Sequence, residues 1–291
     1  KHRQAVRLHT GTSERVAMPL ILDADEMAPG ASGYVQFFLR DPLALKPGDR
    51  LVIRSFSPAF TWGGGLVLHV NPPRHKRRQP EVLANLTILS EGTPEDILRL
   101  YLSEAGAAGR SRAELTALLP WDPGDLANRL NAMTRQGQVL NYDQENQRYL
   151  LTATAQELEG QSQRLLADYH RKFPLKPGLS KEELRRQLPA AMEVRLFNYL
   201  LGDMAQKKQI VSEKDLVRLS THKVTLAQDQ EDLSRRLEDL YRRGHFSPPT
   251  FKEATEAAKI AADKVKQLLQ VLVNQGRLIK VKDDLYFHQA A

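Results

Sequence analysis

Two periodicities divide the chain. Up to about residue 80 the apolar positions fall in short runs: Val6-Arg7-Leu8-His9, Gly33–Leu39, Asp49–Arg54 with Leu51 and Ile53 on one face, and Leu66–Val70. Turn-forming residues separate them at Pro29-Gly30, Ser32-Gly33, Asp41-Pro42, Pro47-Gly48 and Asn71-Pro72-Pro73. Short apolar runs without a helical period read as strands. Several of them in close succession predict a small antiparallel barrel or sandwich, and a barrel leaves no free edge. Trp62-Gly63-Gly64-Gly65 is expected at a barrel bend, where missing side chains let backbones approach closely.

From residue 92 the period changes to 3.6, and one pattern recurs about every 70 residues. In its last copy Val265, Leu268, Leu269, Leu272 and Val273 share a helix face, predicting a helix over 263–275 that Gly276 terminates. Arg277–Lys282 then leads to a turn at Asp283-Asp284, and Leu285–His288 returns. The first copy has a helix marked by Leu126, Leu130 and Met133, a stop at Gly137, and a hairpin from 138–142 and 148–151. The middle copy has Leu196, Leu200 and Met204, then 207–211 and 215–219, but no glycine to end its helix.

Start signals lie upstream of each such helix. Ser111-Arg112-Ala113-Glu114 and Ser180-Lys181-Glu182-Glu183 read as capping boxes, and Ser247-Pro248-Pro249-Thr250 opens the third by proline placement. Earlier helices are expected from Thr93, over about 156–171 and over about 225–243. Each copy therefore predicts helix, helix, turn, helix and β-hairpin, a helix-turn-helix with a wing. The expected fold is multidomain: an antiparallel β-barrel (1–80), a linker (81–91), and a mainly α tandem of three winged helices (92–154, 155–224, 225–291) in an extended arrangement.

Charge distinguishes these segments. Residues 1–80 carry a net +6, residues 81–155 a net −4 with no lysine, residues 156–224 a net +4 and residues 225–291 a net +1. A polyanion would favour the first and third segments and avoid the second. The strongest cluster is Arg74-His75-Lys76-Arg77-Arg78, which Pro72, Pro73 and Pro80 keep out of helix or sheet interiors. Nucleic-acid candidates in the middle copy are Arg195, Lys207, Lys208, Lys214, Arg218 and Lys223; in the third they are Lys264, Lys266, Arg277, Lys280 and Lys282. The first copy is expected to act as a spacer or to face protein.

Enzyme chemistry is not expected. The chain has no cysteine, which excludes disulfides, thiolate metal sites and a cysteine nucleophile. Its eight histidines are scattered, and no Gly-x-x-x-x-Gly-Lys-Ser/Thr loop or Gly-x-Ser-x-Gly elbow occurs. No catalytic residue, metal or cofactor is expected, nor any membrane span, since no apolar run approaches the roughly 20 residues one needs. The chain opens on Lys1-His2-Arg3 without Met and is expected to be a piece of a longer protein.

Residues 6–13 (VRLHTGTS), 48–65 (GDRLVIRSFSPAFTWGGG), 71–77 (NPPRHKR) and 220–226 (STHKVTL) resemble the selenocysteine-specific elongation factors. Arg50–Gly65 also resembles the last barrel of elongation factor Tu. The resemblance implies a cytoplasmic factor that delivers selenocysteyl-tRNA to the ribosome at a recoded UGA. Such a factor uses a GTPase domain, two barrels and a chain of winged helices that grips an mRNA hairpin. On this basis the present chain would be a monomeric, non-catalytic arm. It lacks the GTPase domain and first barrel, and has three winged helices where the bacterial family has four, the last being the main hairpin binder. Its barrel would touch the tRNA backbone through Arg54, Arg74, His75, Lys76, Arg77 and Arg78. A multi-winged-helix regulator of duplex DNA and a protein-docking scaffold stay open as alternatives.

Overall fold

The computed structural model describes residues 4–58, 60–222, 228–244, 247–258, 260–282 and 285–290. Its first part is one five-stranded antiparallel sheet of barrel-like character. The strands are β1 (Val6–Thr10), β2 (Ser13–Ile21), β3 (Val35–Leu39), β4 (Arg50–Arg54) and β5 (Thr61–Leu66), in the order β3-β2-β1-β4-β5. Alternation sets the two faces. Val6, Leu8 and Ala17 are buried and pack with Phe37, Leu39, Leu51 and Ile53, while Arg7, Val16, Met18 and Val52 lie on the other face. Fully burying one such aliphatic side chain contributes about 1.5–3 kcal/mol.

Two strands depart from the sequence expectation. β2 goes unpredicted because outward Val16 and Met18, both about two-fifths exposed, blur its alternation and Pro19 lies within it. The expected strand over Leu66–Val70 is displaced: the glycine run itself forms β5, and residues beyond Leu66 leave the ladder. An edge strand needs only backbone groups to pair, and β5 pairs with β4 alone. Close approach holds at Gly64, where a Cβ would meet the Leu51 carbonyl at 3.0 Å, but not at Gly63, which faces open space. Val67 is instead fixed by bonds from Gly48 N to its carbonyl (2.8 Å) and from its own N–H to Asp49 (2.9 Å).

The expected linker is a helix, α1 (Pro80–Glu91), with proline in its first turn. Tyr34 Oη lies 2.9 Å from Ser90 Oγ and donates to Thr87 Oγ1 at 3.2 Å, tying α1 to the sheet.

Three blocks follow, each of three helices and a hairpin. The first comprises α2 (Pro94–Ala105), β6 (Arg110–Ser111), α3 (Arg112–Leu118), α4 (Pro123–Arg135), β7 (Val139–Asp143) and β8 (Arg148–Leu151). The second comprises α5 (Thr152–Lys172), β9 (Leu179–Ser180), α6 (Lys181–Gln187), α7 (Val194–Gln206), β10 (Ile210–Glu213) and β11 (Leu216–Leu219). The third comprises α8 (Gln228–Gly244), α9 (Phe251–Ala258), α10 (Ala262–Asn274), β12 (Leu278–Lys282) and β13 (Leu285–His288). Residues 223–227, including the end of the STHKVTL run, and the turn at Asp283-Asp284 lie outside the described residues. The chain divides into two compact units, residues 1–156 with 191–196, and residues 157–190 with 197–291.

Local chemistry explains the recurrence. Ser111 and Glu114 form a reciprocal capping box, as do Thr93 and Asp96. Ser180 accepts from Glu183 N–H at 3.1 Å, but only this half of the expected box forms, with no return bond from Ser180 N–H to the Glu183 carboxylate among the described residues. The third block starts α9 through Thr250 and Glu253, which bond each other's backbone N–H (2.8 and 3.3 Å), rather than through proline placement alone. The third helix of each block ends in one geometry. Gly137, Lys208 and Gly276 have φ of +71°, +57° and +73°, and the residue after each returns an N–H to Met133, Met204 and Leu272. Lysine thus occupies in the second block the left-handed position that glycine fills in the others.

Candidate nucleic-acid interface

The barrel places cations on its outer face. Arg7 and Arg54 are directly opposed across β1 and β4, so their side chains share that face. Arg7 pairs with Glu14 at 2.9 Å and lies 5.0 Å from the Phe56 ring centre. Arg54 has no ion pair among the described residues, and its Nε is buried without a partner. Phe56, Phe60 and Trp62 are exposed nearby in sequence, with Phe60 and Trp62 rings 6.4 Å apart.

The basic run is pinned to the sheet by His75, Arg77 and Arg78. Buried Gln36 accepts from His75 N–H at 3.1 Å and donates to the Pro73 carbonyl at 2.9 Å. Arg77 donates to the carbonyls of Ile21 (3.1 Å) and Ala24 (2.5 Å) and to Asp25 (2.6 Å), while Arg78 takes the other oxygen of Asp25 at 2.5 Å. The Arg77 hydrogen bond and the adjacent Arg78 charge hold the Asp25 carboxyl below its usual range. Arg77 and Arg78 are therefore committed to the barrel. Arg74 and Lys76 remain exposed, Arg74 lying 5.4 Å from the Phe38 ring and Lys76 free of ion pairs among the described residues.

In the helix blocks the structure again separates spent cations from available ones. Arg195 donates to both oxygens of buried Asp143 and to Glu145, all at 2.9 Å. The Asn146 side chain, with its backbone N–H and Arg195 adding, lowers the Asp143 pKa. Lys207 bridges buried Glu159 (3.1 Å) and Asp203 (2.6 Å). Arg218 pairs with Glu213 at 3.2 Å and Arg277 with Glu238 at 2.8 Å. Lys208, Lys214, Lys264, Lys266 and Lys282 are exposed without an ion pair among the described residues, whereas Lys280 is exposed but engaged. Lys223 lies outside the described residues.

The sequence reading missed Arg7, although Val6 and Leu8 turning inward force Arg7 outward. It also missed Lys172, which ends α5, and Lys176 just beyond it, which line a cavity with Lys264. Among the described residues no His, Asp or Glu cluster could hold a metal, and no helix is long and apolar enough to cross a membrane.

Comparison with known proteins gives the geometry a context. The selenocysteine-specific elongation factor β-barrel domain matches residues 1–74, and the elongation factor SelB winged helix matches residues 163–219. A selenocysteine-specific elongation factor of Desulfomicrobium baculatum is 32% identical over all of this chain and 46% of its own length. That of Escherichia coli is 26% identical over 84% of this chain and 38% of its own. The chain thus spans less than half the length of these relatives. A crystal structure of a bacterial selenocysteine-specific elongation factor, EF-Sec, shares the fold with a TM-score of 0.53 at 14% identity, over 99% of this chain and 52% of that one. A barrel and a winged helix are thus both matched, and the chain is similar along its full length to a selenocysteine-specific elongation factor.

Proposed function

We propose that the chain is the non-catalytic RNA-contacting arm of a cytoplasmic selenocysteine-specific elongation factor, working as a monomer and without a cofactor. In this reading the barrel holds the backbone of selenocysteyl-tRNA. The three blocks, each of three helices and a hairpin, are tandem winged helices that extend toward an mRNA hairpin on the ribosome during UGA recoding. Hairpin recognition belongs mainly to a further winged helix, and GTP hydrolysis to a separate domain of the whole factor. Repeated blocks suit a spacer, because successive modules contact mainly their neighbours.

The observation that carries the reading is the pattern of cations on the barrel. Arg77 and Arg78 fasten the basic run, which leaves Arg74 and Lys76 beside it, and Arg54 on the outer face, without carboxylate partners among the described residues. Uncompensated cations on a fixed scaffold are what a phosphate backbone requires. A filter-binding titration of the full chain with a selenocysteine tRNA transcript tests this. Replacing Arg54, Arg74 and Lys76 together by Ala should weaken binding at least about tenfold and flatten the log–log salt slope by about two. Wild-type affinity that ignores salt, or equal competition by duplex DNA, would count against it.

A further inference from the structure

The second unit contains a cavity of about 160 Å³ lined by Lys172, Lys176 and Lys264, with Phe173 and Gln267 between them. The lysines come from two places far apart in sequence. Lys172 ends α5, Lys176 lies in the following segment, and Lys264 and Gln267 are one turn apart on α10. Neither rim is loose. Leu175 packs against the core of the third block beside Leu268, Leu269 and Leu272. On the other side His222 Nε2 donates to the Lys176 carbonyl at 3.1 Å, and Phe173 N–H donates to Tyr169 at 2.8 Å.

The ammonium groups are held but not neutralised. Lys172 and Lys176 lie 5.4 and 4.7 Å from the Phe173 ring centre, and Lys176 lies 5.9 Å from that of Tyr169. Aromatic faces orient a cation without cancelling its charge. None of the three lysines has an ion pair among the described residues; the nearby Asp168 is taken by Arg171 at 2.7 Å. Like charges gathered around one recess repel each other, and an oxyanion seated there would relieve all three at once. The recess offers ammonium and amide donors to such a group, matching the oxygens of a phosphodiester.

We infer that this cavity is a second RNA-backbone site, which seats a phosphodiester between Lys172, Lys176 and Lys264 where the second and third blocks meet. The inference rests on the RNA-arm reading for its ligand but uses none of the barrel residues. It gives the arm a grip on RNA independent of the tRNA-facing sheet.

Fluorescence anisotropy of the full chain with a labelled 12-nucleotide oligouridylate, over a salt series, tests the site. Replacing Lys172, Lys176 and Lys264 together by Gln should weaken binding at least tenfold and reduce the salt slope by about two, since each single-strand phosphate contact contributes roughly 0.7. A charge-matched control with Lys46, Arg135 and Lys252 replaced by Gln should leave both values near wild type, as these residues are exposed and none of them lines the cavity. An equal loss in the control, or no loss in the cavity variant, overturns the site. If inorganic phosphate alone binds the cavity tightly enough to displace the oligonucleotide at submillimolar concentration, the site is one for free phosphate and the inference fails. The Arg54, Arg74 and Lys76 variant separates the two readings. A cavity variant that binds normally while the barrel variant does not defeats the cavity alone; the converse defeats the barrel site alone.

Discussion

The first and second helix blocks are built on the same plan and spend their polar residues differently. In both, the serine that caps the short helix pairs with the first residue of the return strand: Ser111 with Arg148, and Ser180 with Leu216. Arg148 is four-fifths buried. It donates to Tyr142 Oη (2.8 Å) and the Ala108 carbonyl (3.1 Å), and pairs with Glu193 (3.0 Å). Leu216 in the same place is 38% exposed and holds nothing polar together. Conversely, the second block holds a histidine pair that the first lacks: buried His170 and half-buried His222 stack with ring centroids 3.7 Å apart. The scaffold therefore comes from capping, apolar spacing and the left-handed helix stop. The polar residues laid over it are free to become a lock in one block and a titratable joint in another.

Arg148 is the sharpest place to break this comparison. Replacing it by Met removes the guanidinium and leaves the Tyr142 hydroxyl, the Ala108 carbonyl and Glu193 without that donor. Loss of a largely buried, multiply bonded charge costs about 3 kcal/mol. The unfolding transition containing the first block should move down accordingly in calorimetry. Leu216→Arg, the reciprocal change at an exposed position, should alter stability by less than about 0.5 kcal/mol. Similar losses in the two variants would mean that the shared plan, and not the polar lock, sets the stability of these blocks.

The next effect is a pH dependence confined to the second block. Burial pushes His170 down from 6.5 to about 4, and the neighbouring His222 and Arg218 charges add to this. Its Nε2 accepts from Leu219 N–H at 3.2 Å, so the folded block needs the neutral ring. Between pH 6.5 and 4 the unfolded chain binds a proton that the folded one refuses. The contribution is therefore complete above pH 6.5 and is lost as pH falls toward 4, amounting to roughly 2 kcal/mol once residual exposure is allowed for. His170→Gln keeps an acceptor and should flatten melting temperature against pH within that window relative to wild type. A variant that tracks wild type through the window would remove the histidine pair as the point of difference.

What could be read in the sequence, and what could not, divides along similar lines. Capping pairs such as Ser111 with Glu114 lie within four residues, so composition alone exposes them. The buried stripe of α10 repeats at helical spacing and places itself. The fate of a cation was not legible, because its partner lies far along the chain. Arg77 meets Ile21 and Asp25, Arg195 meets Asp143, and Arg277 meets Glu238. Net charge ranked the segments but could not tell a fastening arginine from an available one. The cavity was hidden for the same reason: Lys172 and Lys264 become neighbours only after folding. The strand over Thr61–Leu66 escaped because three glycines carry no periodicity to read.

The smallest effect tests the one point where the two blocks share geometry but not residue. Gly137 and Lys208 both end the third helix of their block in the left-handed region, with φ of +71° and +57°. An L side chain with a Cβ is strained there, whereas glycine is not, and the difference is worth about 1 kcal/mol. Lys208→Gly should therefore raise the melting temperature of the second block, although it removes an exposed cation and adds no contact. Gly137→Lys should lower that of the first block by a similar amount, since open space surrounds the position and only the backbone conformation opposes the side chain. If Lys208→Gly is neutral while Gly137→Lys destabilises, the second block relieves the strain through its Lys208 side chain. The lysine would then be part of the helix stop and could not be counted among the cations available to RNA.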